Sequence, residues 1–179
     1  MSLILSETSG IDASLIGGRV RPEREDLLVR SRGRLRVLGG DRSEDPAFVN
    51  REDRPETDPV VRSCVQRWQH GVPWEETESY RHDFDVVARA TQDPERKREK
   101  IRTKHSRLDA IYQDAKRDGL DSRRQHRVWM SLAHDGVLLA GPNGRHRIAM
   151  ALILGVPLPV VWLVIHPVGI VPFKNTKAE

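Results

Sequence analysis

Basic residues stand between a glycine-rich turn and an apolar segment in GPNGRHRIAMALILG, residues 141–155. Arg145, His146 and Arg147 would open a helix there, although positive side chains at a helix N-terminus oppose the helix dipole. A bound anion would reverse that cost, because the unpaired N–H groups of the first turn already favour negative charge. The predicted phosphate-binding residues are Gly141, Asn143, Gly144, Arg145, His146 and Arg147.

A helix that starts with exposed arginines and binds no ligand is the other interpretation of this stretch. GPNG lacks the Lys-Ser/Thr pair of the nucleoside-triphosphate P-loop, and it does not match the GxGxxG dinucleotide pattern. The apolar residues that follow cover nearly all sides of the helix, so we expect it to be buried. A buried helix would hold its N-terminus rigidly, as a phosphate site requires.

Phosphoryl transfer needs charge neutralisation, usually a metal ion, and a base that prepares the nucleophile. Imidazole titrates near neutral pH, so we expect His146 to transfer a proton, with Asp135 as the second catalytic residue. Further candidates for a base or a metal ligand are Asp109, Asp114, Glu75, Glu76 and Glu78. Each of these alone is more typical of a surface salt bridge or a helix cap, and the sequence does not identify the metal ligands.

Other residues of chemical interest have simpler interpretations. The tryptophans are expected in the core, although Trp74, on a Gly-Pro turn, is a candidate for stacking on a base. His134 is typical of a turn, His166 of a strand end, and His105 has no evident partner.

The elements that would position the glycine-rich turn are strands on both sides of it. The patterns predict a strand over 127–133, a turn over 134–136 and a second strand over 137–140. A helix over 145–154 ends at Gly155, and a final strand covers 158–166.

Helices are predicted upstream of these strands. One begins at Pro59, a turn covers 71–81, and residues 84–90 form a short helix or strand. Asp93 and Pro94 are typical of a helix start. The next helix is expected over about 103–118, with a separate short helix before it as an alternative, and Gly119 ends it.

The first third of the chain is more polar. Residues 1–25 show no clear period apart from a candidate strand at 3–5, residues 27–40 are predicted to form a basic hairpin, and residues 40–59 a polar linker. We therefore expect an N-terminal arm over 1–57 and a folded domain over 58–179.

Composition excludes several classes of protein. The formal net charge of +4 permits polyanion binding without requiring it. Cys64 is the single cysteine, so one chain forms no disulfide framework. The longest apolar run contains prolines and does not predict a membrane-spanning helix, and the first residues do not predict a signal peptide. We expect a cytoplasmic protein with no membrane partner.

The run DGVLLAGPNGRHRIAMALILGVPLPVVWLVIHP resembles the ParB/sulfiredoxin superfamily, whose members include ParB-like nuclease domains. Asp135-Gly136, Gly144, His146-Arg147, Gly155 and Pro159-Val160 carry the resemblance, which covers residues 103–166. It implies a small α/β (α+β) domain with a small mixed sheet and packed helices, in which Gly144, His146 and Arg147 would hold nucleotide phosphates. Arg145 stands where sulfiredoxins keep their reactive cysteine, so sulfiredoxin chemistry is not expected. The helix-turn-helix of the partitioning ParB proteins is not expected either.

Three functions follow as hypotheses. The first is a nucleoside-triphosphate hydrolase or phosphotransferase, with ATP favoured and Mg²⁺ as the expected metal ion. The second is a DNA-binding protein or nuclease that uses the 27–40 hairpin and the basic stretch 96–107 on the phosphate backbone. The third is a regulator that senses a nucleotide without converting it.

Overall fold

The computed structural model describes residues 10–20, 28–31, 34–37, 49–89, 93–121, 128–133, 136–141 and 143–162. They form a mixed α/β fold, as predicted. The strands are β1 (Ile16–Val20), β2 (Leu28–Ser31), β3 (Arg34–Val37), β4 (Val49–Asn50), β5 (Val128–Leu132), β6 (Leu138–Ala140) and β7 (Val160–Trp162). The α-helices are α1 (Pro59–Trp68), α2 (Glu78–Arg89), α3 (Pro94–Asp118) and α4 (Arg145–Leu154).

In the described ranges, five strands form one mixed sheet in the order β4-β1-β6-β5-β7. Strand β1 is parallel to β6 and antiparallel to β4, and β5 is antiparallel to β6 and parallel to β7. Strands β2 and β3 form a separate antiparallel pair, which confirms the predicted hairpin. The Gly33 turn of that hairpin lies outside the described residues.

Helix α4 lies between the sheet and the other helices. On one side, Ile148 and Ala151 pack with sheet residues such as Met130 and Val160. On the other side, Ala149 packs with Val61 and Cys64 of α1 and with residues of α2 and α3. Two apolar neighbours explain why the helix is apolar all round. Its predicted bounds and its end at Gly155, which has a left-handed φ of 62°, are confirmed.

Aspartates start two of the helices. Asp58 caps α1 by accepting hydrogen bonds from the N–H groups of Val60 and Val61. Asp93 caps α3 in the same way, and Pro94 takes the first helical position, as predicted. These caps fix where each helix begins, and Gly119 ends α3 at the predicted residue.

Three predictions about secondary structure are wrong. Residues 16–20 are not irregular but form β1, in the interior of the sheet. Helix α3 is one continuous helix of 25 residues, because its capped start and its repeated charge pairs continue into the apolar-faced part. The turn predicted over 71–81 is a single 3₁₀ turn, Trp74–Glu76, and α2 already begins at Glu78.

Two strands of the predicted arm, β1 and β4, lie in the same sheet as β6 of the predicted domain. The candidate strand at 3–5 and the residues 163–166 of the predicted final strand lie outside the described residues. Within the described ranges, no helix is long and apolar enough to span a membrane.

Candidate functional site

The turn before α4 packs tightly against β5. Gly144 is the N-cap of α4 with a left-handed φ of 92°, and a Cβ atom there would lie 2.6 Å from a methyl group of Val128. A Cβ atom on Gly141 would lie 2.8 Å from that of Trp129, whose carbonyl oxygen accepts the Gly141 N–H at 2.7 Å. These two glycines are therefore required for packing, whatever binds beside them. Asn143 is exposed in the same turn.

The three basic residues that follow have different neighbours. The guanidinium of Arg145 lies 3.7 Å from the carboxylate of Asp58, measured from Nε to Oδ2. His146 lies in the field of Lys104 and His105, and Arg147 in that of Asp121. Successive helical residues point about 100° apart, so the three side chains leave α4 in different directions.

Arg145 faces a buried ion pair that the sequence did not predict. Arg19 of β1 donates a short hydrogen bond from Nη1 to Oδ2 of Asp58, and their side chains are only 6% and 2% exposed. The other amino group of Arg19 donates to the carbonyl oxygen of Gly141 at 3.4 Å. Asp53 lies at the rim, 4.0 Å from Nη1 of Arg19. We call Arg19, Asp53, Asp58 and Arg145 the arginine–aspartate cluster.

Both guanidinium groups of this cluster face the same buried carboxylate, that of Asp58. Burial lowers the pKa of Arg19, and so does the neighbouring charge of Arg145, while Asp58 and Asp53 raise it. An arginine remains protonated at neutral pH despite such a shift. Asp58 uses Oδ1 to cap α1, and Oδ2 faces both guanidinium groups. One buried carboxylate therefore stands against two guanidinium groups and the starts of α1 and α4.

Arg145 is the accessible member of this arrangement. Its side chain is 36% exposed, whereas that of Arg19 is enclosed. The cluster can therefore offer one guanidinium group to a ligand in solution, while the second supports it from behind. A guanidinium group binds phosphate oxygens with fixed, directional N–H donors.

The surroundings of His146 shift the pKa of its side chain. Burial lowers the pKa of its imidazole to about 4, and the positive charges of Lys104 and His105 add to the effect. The ring is therefore neutral at pH 7, and a role for His146 in proton transfer stays a prediction. Its burial beside α3 was not visible in the sequence, because no local pattern shows that α3 and α4 pack together.

His105 is buried among aromatic side chains. Its ring is buried and lies 4.7 Å from the ring of Trp74 and 4.8 Å from that of Tyr80, between centroids. Its Nδ1 is 2.8 Å from the carbonyl oxygen of Ile101. Trp74 is buried and is not available to stack on a base, so its predicted place in the core is confirmed.

The described acidic candidates form ion pairs or hydrogen bonds with neighbouring side chains, or are exposed. Asp109 accepts hydrogen bonds from Arg67 and from the indole N–H groups of Trp68 and Trp74, at 2.7–3.3 Å. Burial would raise its pKa, but these hydrogen bonds and the Arg67 charge lower it overall, so it stays ionised and fully engaged. The exposed candidates are Asp114, Glu75, Glu76 and Glu78, of which Asp114 pairs with Arg117 and Glu78 with Arg62. Asp135, His134 and His166 lie outside the described residues.

Neither thiol chemistry nor a ready-made metal centre is found in the described part of the chain. Cys64 is buried, and burial raises the pKa of its thiol far above the usual value, which leaves the sulfur unreactive. The described residues contain no group of three or more His, Cys, Asp or Glu side chains that could hold a metal ion.

The chain matches no protein-family model, no curated protein and no solved structure. The resemblance to the ParB/sulfiredoxin superfamily therefore remains a prediction based on the residues that carry it.

Proposed function

We propose that the chain binds the phosphate groups of a nucleotide beside Arg145, at the arginine–aspartate cluster. One observation carries this proposal: two guanidinium groups and two helix starts surround a single buried carboxylate. Asp58 and, at 4.0 Å from Arg19, the rim carboxylate of Asp53 balance the guanidinium charges. A phosphate would therefore be attracted mainly by the partly exposed Arg145 and by the N–H groups at the start of α4. The predicted ParB/sulfiredoxin-like architecture, in which the turn before a helix binds phosphates, favours the same place.

Each member of the cluster then has a distinct role. Arg145, half-exposed, would donate to the phosphate oxygens, together with the N–H groups of the first turn of α4. Asp58 would hold Arg145 in place by its negative charge, and Arg19 would fix Asp58 from β1. Gly144 would keep the turn close to β5, so that no side chain covers the helix start.

A nucleoside triphosphate is the favoured ligand, with ATP first and Mg²⁺ bound to its phosphates. Mg²⁺ usually needs only one or two carboxylates in addition to the phosphates. Asp53 fits that role, because it lies at the rim of the cluster with its side chain 32% exposed. Bound there, Mg²⁺ would neutralise charge on the phosphates.

Hydrolysis or transfer of the terminal phosphate is the reaction that we propose, with sensing of the nucleotide as the non-catalytic alternative. Neutral His146 would help to exclude water and fix the first turn of α4, rather than transfer a proton. Measuring phosphate release over hours separates the two alternatives, because a sensor binds the nucleotide and forms no product.

The binding proposal is tested by the melting temperature of the protein with ATP, CTP and GTP, each with and without Mg²⁺. We expect at least one nucleotide to raise it, and Arg145→Ala to abolish the rise. Arg117→Ala is the matched control, because it removes an exposed arginine that pairs with Asp114 and Asp118 on α3. No shift with any nucleotide, or equal loss in both variants, would reject the site.

A further inference from the structure

The surface of α3 is unevenly charged. Arg96, Lys97, Lys100 and Arg107 are all exposed. Arg96, Lys100 and Arg107 follow one line of the helix at spacings of four and seven residues, and Lys97 lies at its edge, about 100° round from Arg96. We call these four residues the α3 basic stripe. With a rise of about 1.5 Å per residue, the stripe is about 16 Å long.

Acidic residues in this part of α3 neutralise other arginines and leave the stripe charged. Glu95 pairs with Arg98, and Glu99 pairs with Arg102, on the other side of the helix. Lys104, which borders the stripe, pairs with Asp83 of α2. No ion pair within the described ranges involves a stripe residue, so four cations face solvent together.

Another face of α3 packs into the protein core. Ile101, His105, Tyr112 and Ala115 are buried. The helix therefore has no apolar face to insert into a membrane, which amphipathic surface helices require. A row of unpaired cations with little apolar surface beside it fits a regular row of anions.

We propose that the α3 basic stripe binds the phosphate backbone of a nucleic acid. A nucleic-acid strand presents phosphates at regular intervals, and basic side chains that contact them bind without reading the sequence. The stripe is too long for the phosphates of one nucleotide, so this surface is separate from the arginine–aspartate cluster. Its function does not depend on the nucleotide proposal.

The charges predict how binding depends on salt. Each phosphate neutralised on duplex DNA contributes about −0.9 to the slope of log K against log salt concentration. Four contacts give a slope of about −3.6, and the loss of two contacts reduces it to about −1.8. Sequence preference is expected to be weak, because backbone contacts carry no base information.

The test uses the full chain, without nucleotide, and a fluorescent duplex of about 20 base pairs titrated between about 50 and 200 mM salt. Lys100→Ala/Arg107→Ala removes two stripe charges. Arg102→Ala/Arg117→Ala is the matched control, because it removes two exposed arginines from the same helix that have acidic partners. All four positions are exposed and alanine favours helix, so both variants should fold, which circular dichroism verifies.

We expect the stripe variant to lose about two units of slope and at least tenfold in affinity at 50 mM salt, with the control near wild type. Equal weakening of both variants would show attraction by net charge alone and overturn the proposal. Absence of duplex binding would overturn it as well, and so would binding to vesicles containing phosphatidylserine but not to the duplex.

Discussion

Arg19 and Asp58 form a buried ion pair although 39 positions separate them in the chain. The pair joins β1 of the sheet to the start of α1, and Arg145 of α4 lies against it. Three elements therefore meet at one carboxylate. A buried charge of this kind is costly when its partner is removed, because the remaining charge is left without compensation.

Asp58→Asn keeps the size and the capping ability of the side chain but removes its charge. We expect the free energy of unfolding to fall by about 3–5 kcal/mol, because Arg19 would be left buried beside Arg145 with only the rim carboxylate of Asp53. Urea denaturation measures the change. Asp83→Asn breaks an exposed pair with Lys104 and should cost less than about 1 kcal/mol. Similar values for the two variants would contradict the role given to Asp58.

Asp109 is expected to be structural rather than catalytic. Asp109→Asn should lower the free energy of unfolding by about 2 kcal/mol, because Arg67 and two indole N–H groups lose a charged acceptor. Tryptophan fluorescence should change in the native state, and nucleotide binding should not. Asp114→Asn, at an exposed pair on the same helix, is the control. A loss of phosphate release with unchanged stability would instead make Asp109 a catalytic residue.

His146 should contribute to stability in a pH-dependent way. Its pKa in the folded protein is about 4, below the unfolded value of about 6.5, so folding favours the neutral ring. This contribution is complete above about pH 6.5 and is lost as the pH falls towards 4. Burial disfavours protonation most, Lys104, His105 and Arg145 add to it, and Asp83 opposes them.

His146→Gln should therefore lose about 2 kcal/mol less stability than the wild type between pH 6.5 and 4. Denaturation curves across that range measure the difference, and the exposed His70→Gln variant should follow the wild type. Parallel wild-type and His146→Gln curves would mean that the imidazole is solvated.

The two glycines at the ends of α4 should respond differently to alanine. Both have left-handed φ angles, 92° at Gly144 and 62° at Gly155. A Cβ atom at Gly155 meets nothing within 4 Å, so Gly155→Ala should cost about 1 kcal/mol for the backbone alone. Gly144→Ala should cost about 2–4 kcal/mol, because Val128 must also move. Equal melting temperatures would show that the turn is loosely packed.

The elements that the sequence predicted well carry local signals. Helix α4 has a glycine at each end and an apolar interior, and α1 and α3 each begin with an Asp-Pro pair. Strand β1 could not be found, because IGGRV is short and its two glycines hide any alternation of apolar residues. Its glycines are explained only by the fold, since a Cβ atom at Gly18 would lie 2.9 Å from the carbonyl oxygen of Asn50.

Only part of the candidate site was predicted, because only part of it has a local signal in the sequence. Arg145 belongs to a recognisable turn, but Arg19 reaches it from a distant segment that has no motif. Asp58 could be recognised as a helix cap, since it precedes Pro59, but its second oxygen has a tertiary role that no local pattern indicates. The low pKa of His146 likewise depends on α3, which packs beside it only in the folded chain.

Strand β1 has a consequence for how the protein is made. Its neighbour β6 follows far along the chain, and 122 positions separate Arg19 from the Gly141 oxygen that it contacts. During synthesis, β1 cannot pair with β6 until most of the polypeptide has left the ribosome. Until then, the edge of β1 that pairs with β6 is open to other partners, and assembly of the sheet is completed late.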